Sequence, residues 1–244
     1  QSRARGSRLG CRGRGTRGPG LPVRQRQARG GRNGRWVLAA LVGVTLAACA
    51  PQPAPMDAAA AKAAFDARQA RLEGLARWRL HGRLGIKTPD DGGSVSLDWV
   101  QRGDAFELDM TAPLGQGQAK LEGDGQGVVL RTADGAARVA EDPAGLLDEV
   151  YGVRIPVGGL RYWILGIDEP AGRATIELDD RGRLRQLLSE GWQVTFEEYQ
   201  TIPGLASAGA APPVLPVRLT LVRPAQGLEL RLIVHQWGRP RVAA

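Results

Sequence analysis

Side chains capable of bond-making chemistry are few, and their spacing serves catalysis poorly. The 244 residues hold two histidines, His81 and His235, and two cysteines, Cys11 and Cys49. A metal centre or a Ser-His-Asp relay needs several such groups to converge, and neither histidine has a Cys or Asp beside it in sequence. None of the six serines sits in a Gly-x-Ser-x-Gly elbow. Gly123-x-Gly125-x-Gly127 lacks the Lys and following helix of a phosphate loop, so it reads as a hairpin turn. Glu197 and Glu198 are neighbours on an expected strand, which sends them to opposite faces and separates them as an acid/base pair. The expectation is a non-enzymatic protein with no catalytic residue, no metal and no bound cofactor.

Cys49 is the reactive residue whose surroundings are informative. It follows Trp36 to Ala48, an uncharged apolar run of about thirteen residues, too short for the ~20 that a bilayer-spanning helix requires. Before that run lie eleven arginines and no carboxylate, the first acid in the chain being Asp57. A basic flank, a short apolar run and small residues before a cut make a secretory signal peptide. The cut site Leu46-Ala47-Ala48-Cys49 resembles the lipobox of bacterial lipoproteins. That resemblance implies an S-diacylglycerol and an N-acyl chain on Cys49, which becomes the new N-terminus. It also implies outer-membrane sorting, since Ala50 stands where an Asp holds such proteins in the inner membrane.

The formal charge of +8 suggests a nucleic-acid or anionic-surface partner, but it is unevenly spread. Eleven of the 33 Lys and Arg precede Cys49, leaving 22 to face all 25 Asp and Glu. The body is slightly acidic, and the Arg/Gly-rich leader has almost no aromatic residue on which bases could stack. No nucleic-acid partner is expected. Residues 1–48 are assigned to the leader and signal peptide, with 1–22 expected to precede a translation start near Val23. Residues 49–56 form a Pro-rich tether that cannot be helix interior, and 57–244 form one domain.

Any binding surface must be built by the elements of that domain. Asp57 to Arg77 is rich in helix formers, with Asp57 placed to cap and Phe65, Leu72 and Leu75 as a sparse apolar stripe. From Trp78 the period becomes two: Val95, Leu97 and Trp99 alternate with polar residues, as do Phe106, Leu108 and Met110. Trp192, Val194 and Phe196 repeat the pattern, followed by Val217 to Leu221 and Leu228 to Val234. Such strands have one apolar and one wet face, the mark of an antiparallel sheet. Turn signals such as Asp91-Gly92-Gly93, Arg102-Gly103-Asp104 and Asp134-Gly135 separate them by short intervals, predicting meander hairpins. Two helices interrupt the strands: one from Asp142-Pro143 to a Gly152 stop, another through Leu160, Trp163 and Ile164 to Gly166. Both are apolar on one side and would cover the concave face of a curved sheet, giving a half-open barrel with a helical lid.

At this point the residues resemble the LolB family. Arg154 to Gly166 (RIPVGGLRYWILG) is similar to its "IP…L..WILG" segment, and Thr111 to Gly115 (TAPLG) to its "PLG" loop. Trp78 to Gly85, Asp98-Trp99 and His235-Gln236-Trp237 fit in the same order, so the resemblance covers roughly Ala76 to Trp237. It implies a mainly β fold with α: a curved antiparallel half-barrel of about eleven strands, LolA/LolB-like, with helices in its concave side. It implies a monomeric receptor facing the periplasm. That receptor takes acylated lipoproteins from a LolA-type periplasmic carrier and inserts them into the inner leaflet of the outer membrane. Pro113, Leu114 and Gly115 become the membrane-insertion loop, with Leu114 protruding. The acyl-chain cavity is expected to be lined by Trp99, Met110, Leu147, Trp163, Ile164, Trp192 and Phe196. A lipid-sensing or structural half-barrel envelope lipoprotein is the competing reading; it keeps lipobox and cavity but needs no exposed Leu at that turn. The Ala208–Pro213 stretch lengthens one loop, and no role attaches to it.

Overall fold

The computed structural model describes residues 57–113, 117–170 and 172–240. Cys49, its leader and tether, and Leu114 and Gly115 of the loop lie outside the described residues. The sheet is built of two meanders joined through its first and last strands. Strands β1 (Arg77–Lys87), β2 (Gly92–Arg102), β3 (Ala105–Thr111), β4 (Gln118–Gly123), β5 (Val128–Thr132) and β6 (Ala137–Ala140) run to one side. β7 (Thr175–Leu178), β8 (Leu184–Ser189), β9 (Trp192–Thr201), β10 (Val214–Arg223) and β11 (Leu228–Gly238) form the other. β1 and β11 join them, giving the order β6-β5-β4-β3-β2-β1-β11-β10-β9-β8-β7 with antiparallel pairing throughout. The sheet stays open between β6 and β7, both four-residue edge strands. Short edges limit the unpaired backbone on offer to another chain.

Alternation fixes the register. Leu80 stands opposite Trp99 and Leu84 opposite Val95 across β1 and β2, so the apolar parity of the two strands coincides and a one-residue slip would expose it. Curvature enters where β1 meets β11. The pairing shifts between His81 and Gly82, and a Cβ on Gly82 would lie 2.4 Å from the Ile233 carbonyl oxygen. Only glycine admits that close approach.

Three helices sit on this sheet. Asp57 caps α1 (Ala58–Glu73), accepting from the Ala60 amide at 2.7 Å. The helix expected to reach residue 77 ends earlier, because Gly74 interrupts it and Arg77 is already paired with Arg102 in β1. Asp142 caps α2 (Pro143–Tyr151), taking N–H bonds from Ala144 and Gly145, and Gly152 ends it at φ 67°. α3 (Val157–Trp163) follows, and the chain turns at Gly166 with φ 74°. α1 lies against β7 and the β7–β8 turn: a Cβ on Gly182 would meet the Ala61 carbonyl oxygen and Ala64 Cβ at 2.7 Å.

Candidate functional site

An apolar cavity of about 720 Å³ opens at one end of the half-barrel, well inside the ~300–1,000 Å³ range of small-ligand pockets. The sheet wall comes from alternate residues of β1 to β5, β10 and β11, among them Leu84, Leu97, Met110, Leu121, Leu221 and Leu232. α2 and α3 supply the opposite wall through Leu147, Val157, Leu160 and Ile164. Period-two strands present every second side chain inward, and the helices cover that inner face with their own apolar sides. The deep wall is dry: Leu121 and Ile164 are fully buried, and Trp99 is 2 % exposed.

Trp99 is part of the floor. Its Nε1 donates to Gln101 Oε1 at 2.9 Å, and Gln101 Nε2 donates to the Gly103 carbonyl at 2.8 Å, so the indole N–H is satisfied without water. Its ring lies 5.3 Å from Trp78, itself 5.6 Å from Trp237 in an edge-on contact. Trp237 Nε1 donates to the Pro216 carbonyl at 3.2 Å. These tilted aromatic contacts add to area burial and close the end away from the mouth.

The mouth is polar and built from turns. Thr88 and Asp91 come from the β1–β2 turn, Thr132 to Asp134 from the β5–β6 turn, and Tyr151 from the end of α2. The Thr132 hydroxyl and the Ala136 N–H hold the Asp134 carboxyl below its ordinary range. The β3–β4 loop stems stand in the same rim, Ala112 and Gly117 both facing the cavity and joined by an N–H to carbonyl bond of 2.8 Å. Pro113 is exposed beside them.

Ion pairs tie the lid to the sheet, Arg138 to Glu149 at 2.8 Å for α2 and Arg161 to Asp104 at 2.9 Å for α3. Such surface pairs each contribute ~0–1 kcal/mol, so the lid is held mainly by its buried apolar side. Among the described residues the cavity wall contains no His, Cys, Ser, Lys or Arg. The arrangement can sequester an apolar chain.

A family model described as "Outer membrane lipoprotein LolB" matches residues 76–237. The chain belongs to the LolB family. It is 37% identical over 208 residues to an Outer-membrane lipoprotein LolB of Alkalilimnicola ehrlichii, covering 85% of this chain and 98% of that one. To the LolB of Pseudomonas putida it is 36% identical over 177 residues, 72% of this chain and 81% of the relative. A solved structure, a putative outer membrane lipoprotein-sorting protein domain from Vibrio parahaemolyticus, covers 75% of this chain and 93% of its own. The TM-score is 0.50 at 10% identity, a likeness of fold alone. The eleven-stranded open antiparallel sheet with helices against it is the fold that the LolB resemblance implies.

The seven expected lining residues divide. Trp99, Met110, Leu147 and Ile164 line the LolB-type cavity; Trp163, Trp192 and Phe196 do not. These three are buried at 1 %, 1 % and 5 % exposure, Trp163 on α3 and Trp192 and Phe196 on β9. Periodicity tells which face of an element is apolar and not how deep the void extends. Missed lining residues lie on the two central strands, Leu84 and Ile86 on β1 and Leu230 and Leu232 on β11. The signal for them is the period-two alternation of Leu84 with Ile86 and of Leu230 with Leu232, which sends each pair to one face.

Strand pairing adds one contact between distant residues and corrects one expectation. His81 and His235, distant in sequence, are neighbours across β1 and β11 with ring centroids 6.0 Å apart, and His81 Nδ1 lies 3.0 Å from Asp98 Oδ2. Among the described residues no group of three His, Cys, Asp or Glu is placed to hold a metal. Glu197 and Glu198 do not face opposite ways. A register shift around Arg218 leaves both exposed, Glu197 accepting from the Thr220 hydroxyl and Glu198 lying 3.8 Å from Arg218.

Proposed function

We propose that this outer-membrane lipoprotein is a lipid-anchored receptor that takes acylated lipoproteins from a LolA-type periplasmic carrier and delivers them to the inner leaflet. The observation that carries the reading is a deep apolar cavity, open at one end and with its polar side chains confined to the mouth. Each methylene moved from water into it contributes ~0.8 kcal/mol, on the order of 10 kcal/mol for one long acyl chain. A carrier offers the same kind of gain, so direction comes from the difference between two cavities, with the bilayer as final sink. No nucleotide hydrolysis is required.

In this reading Cys49 carries the acyl chains, and residues 49–56 space the domain from the membrane. Leu114, on a loop whose stems form the cavity rim, is the insertion residue. Transfer of a radiolabelled lipoprotein from loaded carrier to the receptor, then from receptor to liposomes, tests both steps. Leu114→Glu is expected to accept cargo as wild type does and to deliver it poorly, because a charge replaces an apolar tip at the hydrocarbon boundary. Equal delivery by the two proteins removes the role of Leu114. Failure of the wild type to accept cargo sinks the receptor reading and favours the lipid-sensing or structural one.

A further inference from the structure

A second, polar pocket of about 420 Å³ lies between α1 and the β7–β8 turn and is lined by four arginines: Arg68, Arg71, Arg181 and Arg183. Arg183 is neutralised by Asp179, whose Oδ2 accepts from its Nε at 2.7 Å and Nη2 at 2.6 Å. Among the described residues the other three have no carboxylate within 4.0 Å, and the chain outside those residues contains no Asp or Glu. Arg68 is the unusual one. It is 8 % exposed, yet it is held only by neutral groups, the Leu165 carbonyl at 2.9 Å and the Gly166 carbonyl at 3.4 Å.

Arg68 and Arg183 both stack on Tyr199, at 5.4 and 4.7 Å from the ring centroid. The Tyr199 hydroxyl donates to the Leu184 carbonyl at 2.8 Å, which leaves its face to the cations. Burial lowers Arg68 to about 10, so it stays charged at neutral pH. A buried cation with no carboxylate in contact is costly; Asp179 acts on Arg68 only from beyond 4.0 Å and is already paired with Arg183, and two exposed guanidinium groups stand over the same pocket.

We propose that this pocket binds a phosphate group, either free or in the phosphodiester of a lipid headgroup. A phosphate presents several oxygens to forks arriving from different sides, where a carboxylate presents two. The volume also exceeds what a halide would fill. The site goes beyond the acyl cavity and stands independently of it, since the two pockets share no residue.

The test is calorimetric titration of the full chain in non-ionic detergent, at constant ionic strength, with inorganic phosphate in one arm and glycerophosphoglycerol in the other. Saturable binding is expected, weakened about tenfold or more in Arg71→Ala/Arg181→Ala, because two charged forks facing the anion are removed. Both positions are exposed, so this variant keeps the fold and its uptake of an apolar probe. Arg68→Lys, which keeps the charge and loses the fork, is expected to bind more weakly than wild type. Tighter binding of the diester assigns the site to a headgroup, and tighter binding of inorganic phosphate to the free ion. No saturation in either arm, or an unchanged affinity in the double variant, overturns the proposal.

Discussion

The two halves of the sheet are equally apolar on their inner face, yet one is hollow and the other is full. Inward residues of β2 to β5, such as Leu97, Leu121 and Leu130, are buried to the same degree as Leu184, Leu187 and Val194 on β8 and β9. β2 to β5 contribute to the cavity wall; β7 to β9 contribute nothing to it. The difference lies in what covers each side. α1 lies on β7 and the turn after it, and the 165–166 segment binds Arg68 of α1, while a Cβ on Gly166 would lie 3.0 Å from Pro216 Cγ and from the Tyr199 hydroxyl oxygen. Over β2 to β5 there are only the apolar sides of two short helices. A half-barrel thus keeps a void by rationing its helices, with the filled half as the platform that holds the empty half open.

Substitutions that treat the halves alike should have unlike effects. The largest is expected in the filled half. Trp192→Ala removes a 1 %-exposed indole on β9, outside the cavity wall, and should cost about 3–5 kcal/mol in denaturant unfolding. Probe binding should change only as the folded fraction does. Next is the boundary. Trp99→Phe orphans Gln101 Oε1, at about 1–3 kcal/mol for a buried acceptor left unmade, and should also disturb binding because Trp99 is floor. In the hollow half, Ala119→Phe should cost less than the ~1–3 kcal/mol usual for overpacking, because the new ring enters open volume. It should reduce uptake of a long acyl probe; a penalty as large as in the filled half would mean that the cavity is not available space.

The smallest effect belongs to the outer face, which serves neither half. Burial opposes ionisation of Asp98, but hydrogen bonds from Arg79 and His81 outweigh it and hold the carboxyl below its ordinary value of 3.8. A depressed folded value contributes stability above the unfolded one and loses it as pH falls through the folded one. Asp98→Asn should therefore be slightly less stable than wild type near neutrality, with the gap closing below 3.8. A gap that widens in acid would contradict the assigned hydrogen bonds.

Much of this protein was legible in its sequence because its strongest constraints are local. Period-two alternation requires only that one face be wet, so β2, β3 and β9 to β11 stood out. Asp142-Pro143 and Gly152 bracketed α2 because caps and stops act within a few residues. The four-residue edges β6 and β7 left no pattern, being too short for alternation and open to solvent: Val139 on β6 is 76 % exposed. Of the candidate site, sequence indicated the inner face and four of its wall residues.

Contacts made at long range were decided only by the tertiary structure. Depth is one: Trp192 and Trp99 share parity and type, but only the side left uncovered by α1 retains a void. Pairing is another, since the β1–β11 junction joins the first and last strands and brings His81 to His235, and the shift at Gly82 accompanies the close approach of Ile233. The arginine pocket is a third. Arg68 and Arg71 lie on a helix whose sequence signal is its sparse apolar stripe, and Arg181 and Arg183 on a turn about a hundred residues away. Periodicity records which side of an element is apolar. Which elements then meet, and how much space remains between them, is a property of the packed whole.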